Sequence, residues 1–326
     1  MAYRLQRLLR GAVFGAAIAF AAVPICAQPT TSGTWTQAAQ TTTERTEVAV
    51  VSVNGKIYVL GGEAQGRQDS PLLQEFDPAT RQWRDLAPMP RGASHVGIAA
   101  LNGKIYAAGG FTANVHKNPL DQFLEYDIGG NNWRPLASLP APLGSVSLAA
   151  LDGMIHVVGG RDPDGNTVPT HSVYDPATNR WTAAARLPVQ RDHLGIVVLN
   201  GAIHVFGGRI GATVDNVGLH DVYDAKTDSW RSLAMVPTPR SSGAATVYRG
   251  LILYHGGECK DPAKRITFDE FEAYDPKTDS WRELAKAPTG LHAHGAATVG
   301  DTAYFIGGSA GCGGDNPSNA VYAFRL

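Results

Sequence analysis

The chain has 326 residues, with 28 Lys+Arg against 29 Asp+Glu and 44% hydrophobic residues. That is an ordinary globular composition, which excludes a wholly disordered chain. There is no basic run or stripe, so nucleic acid is not expected as a partner.

Arg4, Arg7 and Arg10 precede an uncharged apolar run from Gly11 to Ile25, and Cys26-Ala27 follows before Gln28. This is the layout of a secretory signal peptide covering residues 1–27. The run is short for a membrane span, and Ile25 is bulky for the residue before a lipid-modified Cys26. There is no twin-arginine pair, so export in the unfolded state is expected. Cleavage removes three arginines and no acids, leaving 25 basic and 29 acidic residues, a net charge of −4. No other long apolar segment remains. The expectation is one domain over residues 28–326, periplasmic or secreted, with no stable membrane insertion after cleavage.

One stretch then recurs six times: an apolar strand ending in two glycines, first seen as Lys56-Ile57-Tyr58-Val59-Leu60-Gly61-Gly62. The later pairs end at Gly110, Gly160, Gly208, Gly257 and Gly308, at spacings of 48, 50, 48, 49 and 51 residues. A period near fifty signals a propeller or another array. Trp35, Trp83, Trp133, Trp181, Trp230 and Trp281 each lie 26 residues before the next glycine pair. Asp77, Asp127, Asp175, Asp224 and Asp275 stand six residues before five of these tryptophans, each after an aromatic residue. All length variation therefore falls between the glycines and the aspartate.

Within a repeat, Val48 to Val53, the Asn54-Gly55 turn and Lys56 to Leu60 read as a tight hairpin. A polar loop, a strand ending in Phe76-Asp77, a Pro78-Ala79-Thr80 turn and a strand around Trp83 complete four antiparallel strands. The glycines suit a buried strand end that needs positive φ or close approach, and the tryptophans suit packing between sheets. The first tryptophan segment has no glycine strand before it, and the last copy has no tryptophan after Phe324. The N-terminal segment should therefore supply the outer strand of the last sheet, closing the ring.

These motifs resemble the Kelch repeat, from about Thr34 to the end. The resemblance implies an all-β six-bladed propeller of four-stranded antiparallel blades. Departures are small: Ile128 and Ala225 replace the proline found at Pro78, Pro176 and Pro276. Cys259 and Cys312 follow glycine pairs in neighbouring repeats, and a disulfide is expected between them in an exported protein; the other reading is two unpaired thiols.

The post-glycine loop and the blade-to-blade link emerge on one face, and repeat proteins place insertions on the face that binds. The residues after the glycines include Glu63, Arg161, Arg209 and Glu258. Sixteen residues before the first glycine of a pair stand Arg45, Arg191 and Arg240; fourteen before stand His95 and His193. Both rings are expected to face one axial cavity, where the five arginines and two histidines are candidate ligand-binding residues. The bland reading pairs each inner-strand arginine with an acid or a carbonyl inside its blade. His292-Ala293-His294 invites a metal reading with His95 and His193, but no compact motif accompanies it, so no metal or cofactor is expected.

The functional expectation is a binding module for a protein or glycan. The alternative rests on resemblance at the level of fold to exported sialic-acid mutarotases, and makes Glu63 or Glu258 a candidate general base. Galactose oxidase, also a Kelch-type propeller, needs copper and a Tyr–Cys crosslink, whereas both mature cysteines here are placed for each other. The iron triplet of nitrile-specifier proteins has no counterpart in the chain.

Overall fold

The computed structural model describes residues 32–64, 68–112 and 116–326. The expected signal peptide lies outside them. The described residues form six four-stranded antiparallel sheets, arranged as the blades of a propeller. Blade 1 runs Ala49–Val53, Lys56–Leu60, Leu73–Asp77 and Gln82–Asp85. Blades 2 to 5 repeat this order, their innermost strands beginning at Gly97, Ser147, Gly195 and Ala244. Blade 6 takes Gly295–Val299, Thr302–Ile306 and Ala320–Arg325 from the end of the chain and Thr34–Gln40 from its beginning. Thr34 pairs with Arg325 and Trp35 with Phe324, so the ring closes through the N-terminal strand.

Adjacent blades are joined by one repeated hydrogen bond. The second glycine of each pair donates its N–H to a carbonyl at the start of the next innermost strand. Gly62 donates to Ala93 (3.0 Å), Gly110 to Leu143 (3.0 Å), Gly208 to Arg240 (2.9 Å), and Gly308 closes the circle onto Arg45 (2.9 Å). The same carbonyl explains why the first glycine carries no side chain. At Gly109, φ is +65°, and a Cβ would sit 2.3 Å from the Leu143 oxygen.

Apolar cores lie between blades. Tyr106, Ala108 and Phe123 of blade 2 pack with Ile155, Val157 and Tyr174 of blade 3, and Trp181 covers them. The tryptophans also bond across the gap. Trp133 Nε1 donates to Ala87 O (2.8 Å), Trp181 to Ala137 O (2.9 Å) and Trp35 to Ala285 O (2.7 Å). A turn residue adds a second clamp in four blades. Asn131 Oδ1, for example, accepts from Tyr126 OH (2.6 Å) and from Ala87 N–H (2.8 Å). Blade 1 has Phe76 and Arg81 at these positions, and Trp83 Nε1 has no hydrogen-bond partner among the described residues.

Blades 3 and 4 bury histidine pairs in the same layer. His171 Nδ1 donates to Ala185 O (2.9 Å), leaving Nε2 to accept from His156 Nδ1 (2.9 Å). This chain needs both rings neutral, since a proton on His171 Nε2 would remove the acceptor. His204 and His220 repeat it at 3.0 Å. Burial first, and then the partner imidazole, lower His156 to about 4 and His220 to about 3. In the unfolded chain these rings protonate near pH ~6.5. The unfolded state therefore binds more protons between about pH 6.5 and 4, and stability falls as pH drops through that window. The urea midpoint should decline steeply as pH falls from about 6.5 to 4. A midpoint unchanged down to about pH 5 would contradict the buried neutral pairs.

Candidate functional site at the axis of the loop face

The six residues that begin the innermost turn, Glu47, His95, Ser145, His193, Ser242 and Ala293, all have φ between +51° and +57°. This left-handed kink breaks the alternation an extended strand would have, and it decides which side chains meet. Two residues earlier, the side chains turn into their own blades. Arg45 donates to Gly61 O and Gln74 Oε1, each at 2.7 Å. Arg191 pairs with Asp221 (2.7 Å), and Arg240 pairs with Glu272 and donates to Gly256 O (2.8 Å). All three arginines are buried, and their acid or amide partners lie on third strands. Burial, partly offset by Asp85, lowers Arg45 to about 10. The arginines sixteen residues before the glycines thus leave the cavity expected of them, while the histidines fourteen before stay with the post-glycine arginines Arg161 and Arg209.

The residues one step earlier, between the two rings, stand beside the post-glycine residues instead. Thr46 bridges Glu63, Ser94 bridges Phe111, Asp192 bridges Arg209 and His292 bridges Ser309. Asp192, fully buried, becomes the hub of the site. It accepts from Arg161 Nε (2.7 Å), from Arg209 Nε (3.3 Å) and from His193 Nδ1. Arg209 is also buried; its Nη1 donates to Glu258 Oε2 (2.6 Å) and its Nη2 faces His193 Nε2 (3.1 Å) and His116 Nε2 (3.2 Å). Glu258 Oε1 accepts from Gly313 N–H (3.1 Å) and lies 3.8 Å from His292 Nε2. Glu63 is buried at the equivalent position of blade 1.

Three imidazoles cap this network. His95, His116 and His193 stand edge to face, with ring centroids 5.1 to 5.2 Å apart. His95 Nε2 lies 3.2 Å from Glu47 Oε2. Burial alone would raise the Glu47 carboxyl, but the His95 charge overrides it and holds Glu47 well below the carboxylate range. Burial opposes protonation of His95 as well, yet Glu47 raises it above the usual imidazole value. His193 goes the other way, lowered by burial and then by Arg209. His116 is lowered to about 2, by burial and then by His193. Beneath the rings, Glu47, His95, Ser145, His193 and Ser242 line an axial cavity of ≈ 120 Å³.

Of the sequence candidates, the structure brings together Arg161, Arg209, His95, His193 and Glu258. Asp192 and His116 were not among them. Asp192 was legible only to a reader who foresaw the left-handed kink. His116 comes from the variable loop of blade 2, where spacing carries no information.

Farther from the axis, the loops of blades 5 and 6 are joined by the Cys259–Cys312 disulfide, with Cα atoms 5.1 Å apart. Beside it lies a cavity of ≈ 860 Å³ lined by Lys260, Lys264, Arg265, Ile266 and Pro288. Among the described residues, no helix is long and apolar enough to cross a membrane.

The family model described as the KLHDC2/KLHL20/DRC7 Kelch-repeats domain matches residues 25–186 and again 139–308. No curated protein matches the chain. The solved structure of YjhT is similar, with a TM-score of 0.73 at 15% identity, covering 86% of this chain and 95% of that one. At that identity the likeness shows the fold.

The ion pairs at the hub give one expected outcome. Glu258→Gln leaves Arg209 with a single carboxylate in a buried setting, and should destabilise the protein by about 3 kcal/mol in urea unfolding. A loss below ~0.5 kcal/mol would mean that water, rather than Glu258, neutralises Arg209.

Proposed function

The chain belongs to the Kelch-repeat family, and from that premise we propose that it is an exported binding module whose loop face holds a protein or glycan. One observation carries the reading: among the described residues, the three exposed large apolar side chains all lie on that face. Val214 (57% exposed) and Ile266 (45%) lie in the post-glycine loops of blades 4 and 5, and Met235 (57%) lies in the link between those blades. Exposed apolar groups rimmed by charges are the usual mark of an interaction surface. The opposite face supports nothing comparable, because its connections are tight turns of nearly constant length.

The rim fits a ligand better than the axial channel does. The cavity beside the disulfide has the volume of a small-molecule site, typically ~300–1,000 Å³. A space of ≈ 120 Å³ at the axis holds only a few waters at ~30 Å³ each. Arg161, Arg209, His95 and His193 then contribute at the axial mouth, while Arg45, Arg191 and Arg240 serve the blades. Export agrees with the arginine-led apolar N-terminus and with a disulfide between loops.

A second reading, catalysis of anomer exchange on an acidic sugar, is favoured by the Glu47–His95 and Asp192–His193 pairs. A carboxylate-held imidazole is a standard device for moving protons. In this reading the anomeric hydroxyl loses a proton to one imidazole while the other protonates the ring oxygen; the ring C–O bond breaks to an open-chain carbonyl, which recloses on its other face as both protons return. Glu258, tied to Arg209 and the Gly313 N–H, is poorly placed to act as base itself.

Binding to a panel of glycans and exported proteins should be saturable and weaken at least ~10-fold in an Ile266→Asp, Val214→Asp variant. NMR of sialic acid with purified protein should show anomer exchange at the uncatalysed rate. Catalysed exchange abolished by His193→Gln would replace the binding reading with the enzymatic one.

A further inference from the structure

We propose that His95, His116 and His193 form a site for a single divalent transition-metal ion of the zinc class at the axial mouth. The inference is independent of whether the face binds a partner or turns over a sugar. One ring nitrogen from each histidine lies within 4.8 Å of one from each of the others. His116 Nε2 and His193 Nε2 face each other at 3.4 Å. That is long for a hydrogen bond, but it fits a tetrahedral ion: two nitrogens at the ~2.0–2.1 Å zinc distance stand about 3.4 Å apart.

At His193 the supporting residues direct a lone pair inward. Asp192 takes the Nδ1 proton of His193, which leaves Nε2 as the donor atom to a metal. Ser94 Oγ contacts His95 Nδ1 at 3.1 Å. His95 Nε2 is buried and pairs with Glu47 Oε2 at 3.2 Å, so an ion there replaces the proton between them, and Glu47 is able to serve as a further ligand. A carboxylate oriented behind an imidazole is the recurring arrangement of histidine metal sites.

Arg209 is the counterargument, and the geometry answers it. Its Nη2 points at the lone pairs of His193 and His116 that a metal needs. An arriving ion displaces these two contacts, while Arg209 keeps Asp192 and Glu258. Once the ion has displaced the His95 proton, three carboxylates, Glu47, Asp192 and Glu258, face two guanidiniums, Arg161 and Arg209, so the dication meets an excess of negative charge. Imidazole nitrogens without a thiolate suit zinc, nickel or copper rather than magnesium or calcium. Three histidines leave a fourth position for Glu47, water or an anionic ligand.

The test uses the untagged, full exported protein, stripped with chelator and exchanged into metal-free buffer. Titration with Zn²⁺ should give one equivalent per chain, and the ion should raise the thermal midpoint. Co²⁺ should give the visible bands of a low-symmetry nitrogen site. His116→Ala, a loop change that leaves the blades untouched, should weaken uptake at least ~10-fold, with the far-UV spectrum unchanged. Absence of saturable uptake overturns the proposal. So does uptake of equal affinity in wild type and His116→Ala, which places the ion elsewhere.

Discussion

The architecture depends on one hydrogen bond made six times, from the second glycine of a blade to the carbonyl that starts the next. The bond ties each strand end to the neighbouring blade at the axis, where six sheets converge. It requires the preceding residue to pass beside that same carbonyl in a left-handed conformation. Only glycine does this without collision. The double glycine is therefore the imprint of blade-to-blade contact. A tryptophan closes the same gap farther out, through its bond to a link carbonyl.

The same turn builds the site. Each innermost strand is entered through a residue at positive φ, which sends side chains two positions apart in different directions. The arginines at Arg45, Arg191 and Arg240 go inward to satisfy carbonyls and buried acids. Asp192 and its neighbour His193 go to the axis, where Arg161 and Arg209 from two post-glycine positions converge on Asp192. Charge that would be costly to bury singly is held as a network in which each member has partners. The network leaves imidazoles, rather than free guanidiniums, facing the mouth.

The fold was legible because it repeats. Glycine pairs, tryptophans and aspartates fixed the strand order, and Trp35 without a partner strand already implied its pairing beside Phe324. The disulfide followed from two cysteines at equivalent loop positions. The site was legible only in part, because it lives where the repeats differ. Strand alternation put Arg45 and Glu47 on one surface, and the positive φ at Glu47 undoes that. His116 reaches the axis from a loop whose length and sequence belong to blade 2 alone. At the seam between blades 6 and 1, Trp83 Nε1 has no hydrogen-bond partner among the described residues, and Phe76 stands where blades 2 to 5 have tyrosine.

The glycine pairs serve the contact between blades and not backbone freedom alone. Gly103 and Gly109 separate these causes within one blade. Both have positive φ, +74° and +65°, but a Cβ on Gly103 meets nothing within 4 Å while one on Gly109 meets the Leu143 carbonyl. Alanine at Gly103 should cost only the left-handed penalty, ~1 kcal/mol. Alanine at Gly109 should cost at least ~2 kcal/mol more in urea unfolding, because the contact to blade 3 must open. Equal costs at the two positions would contradict the account.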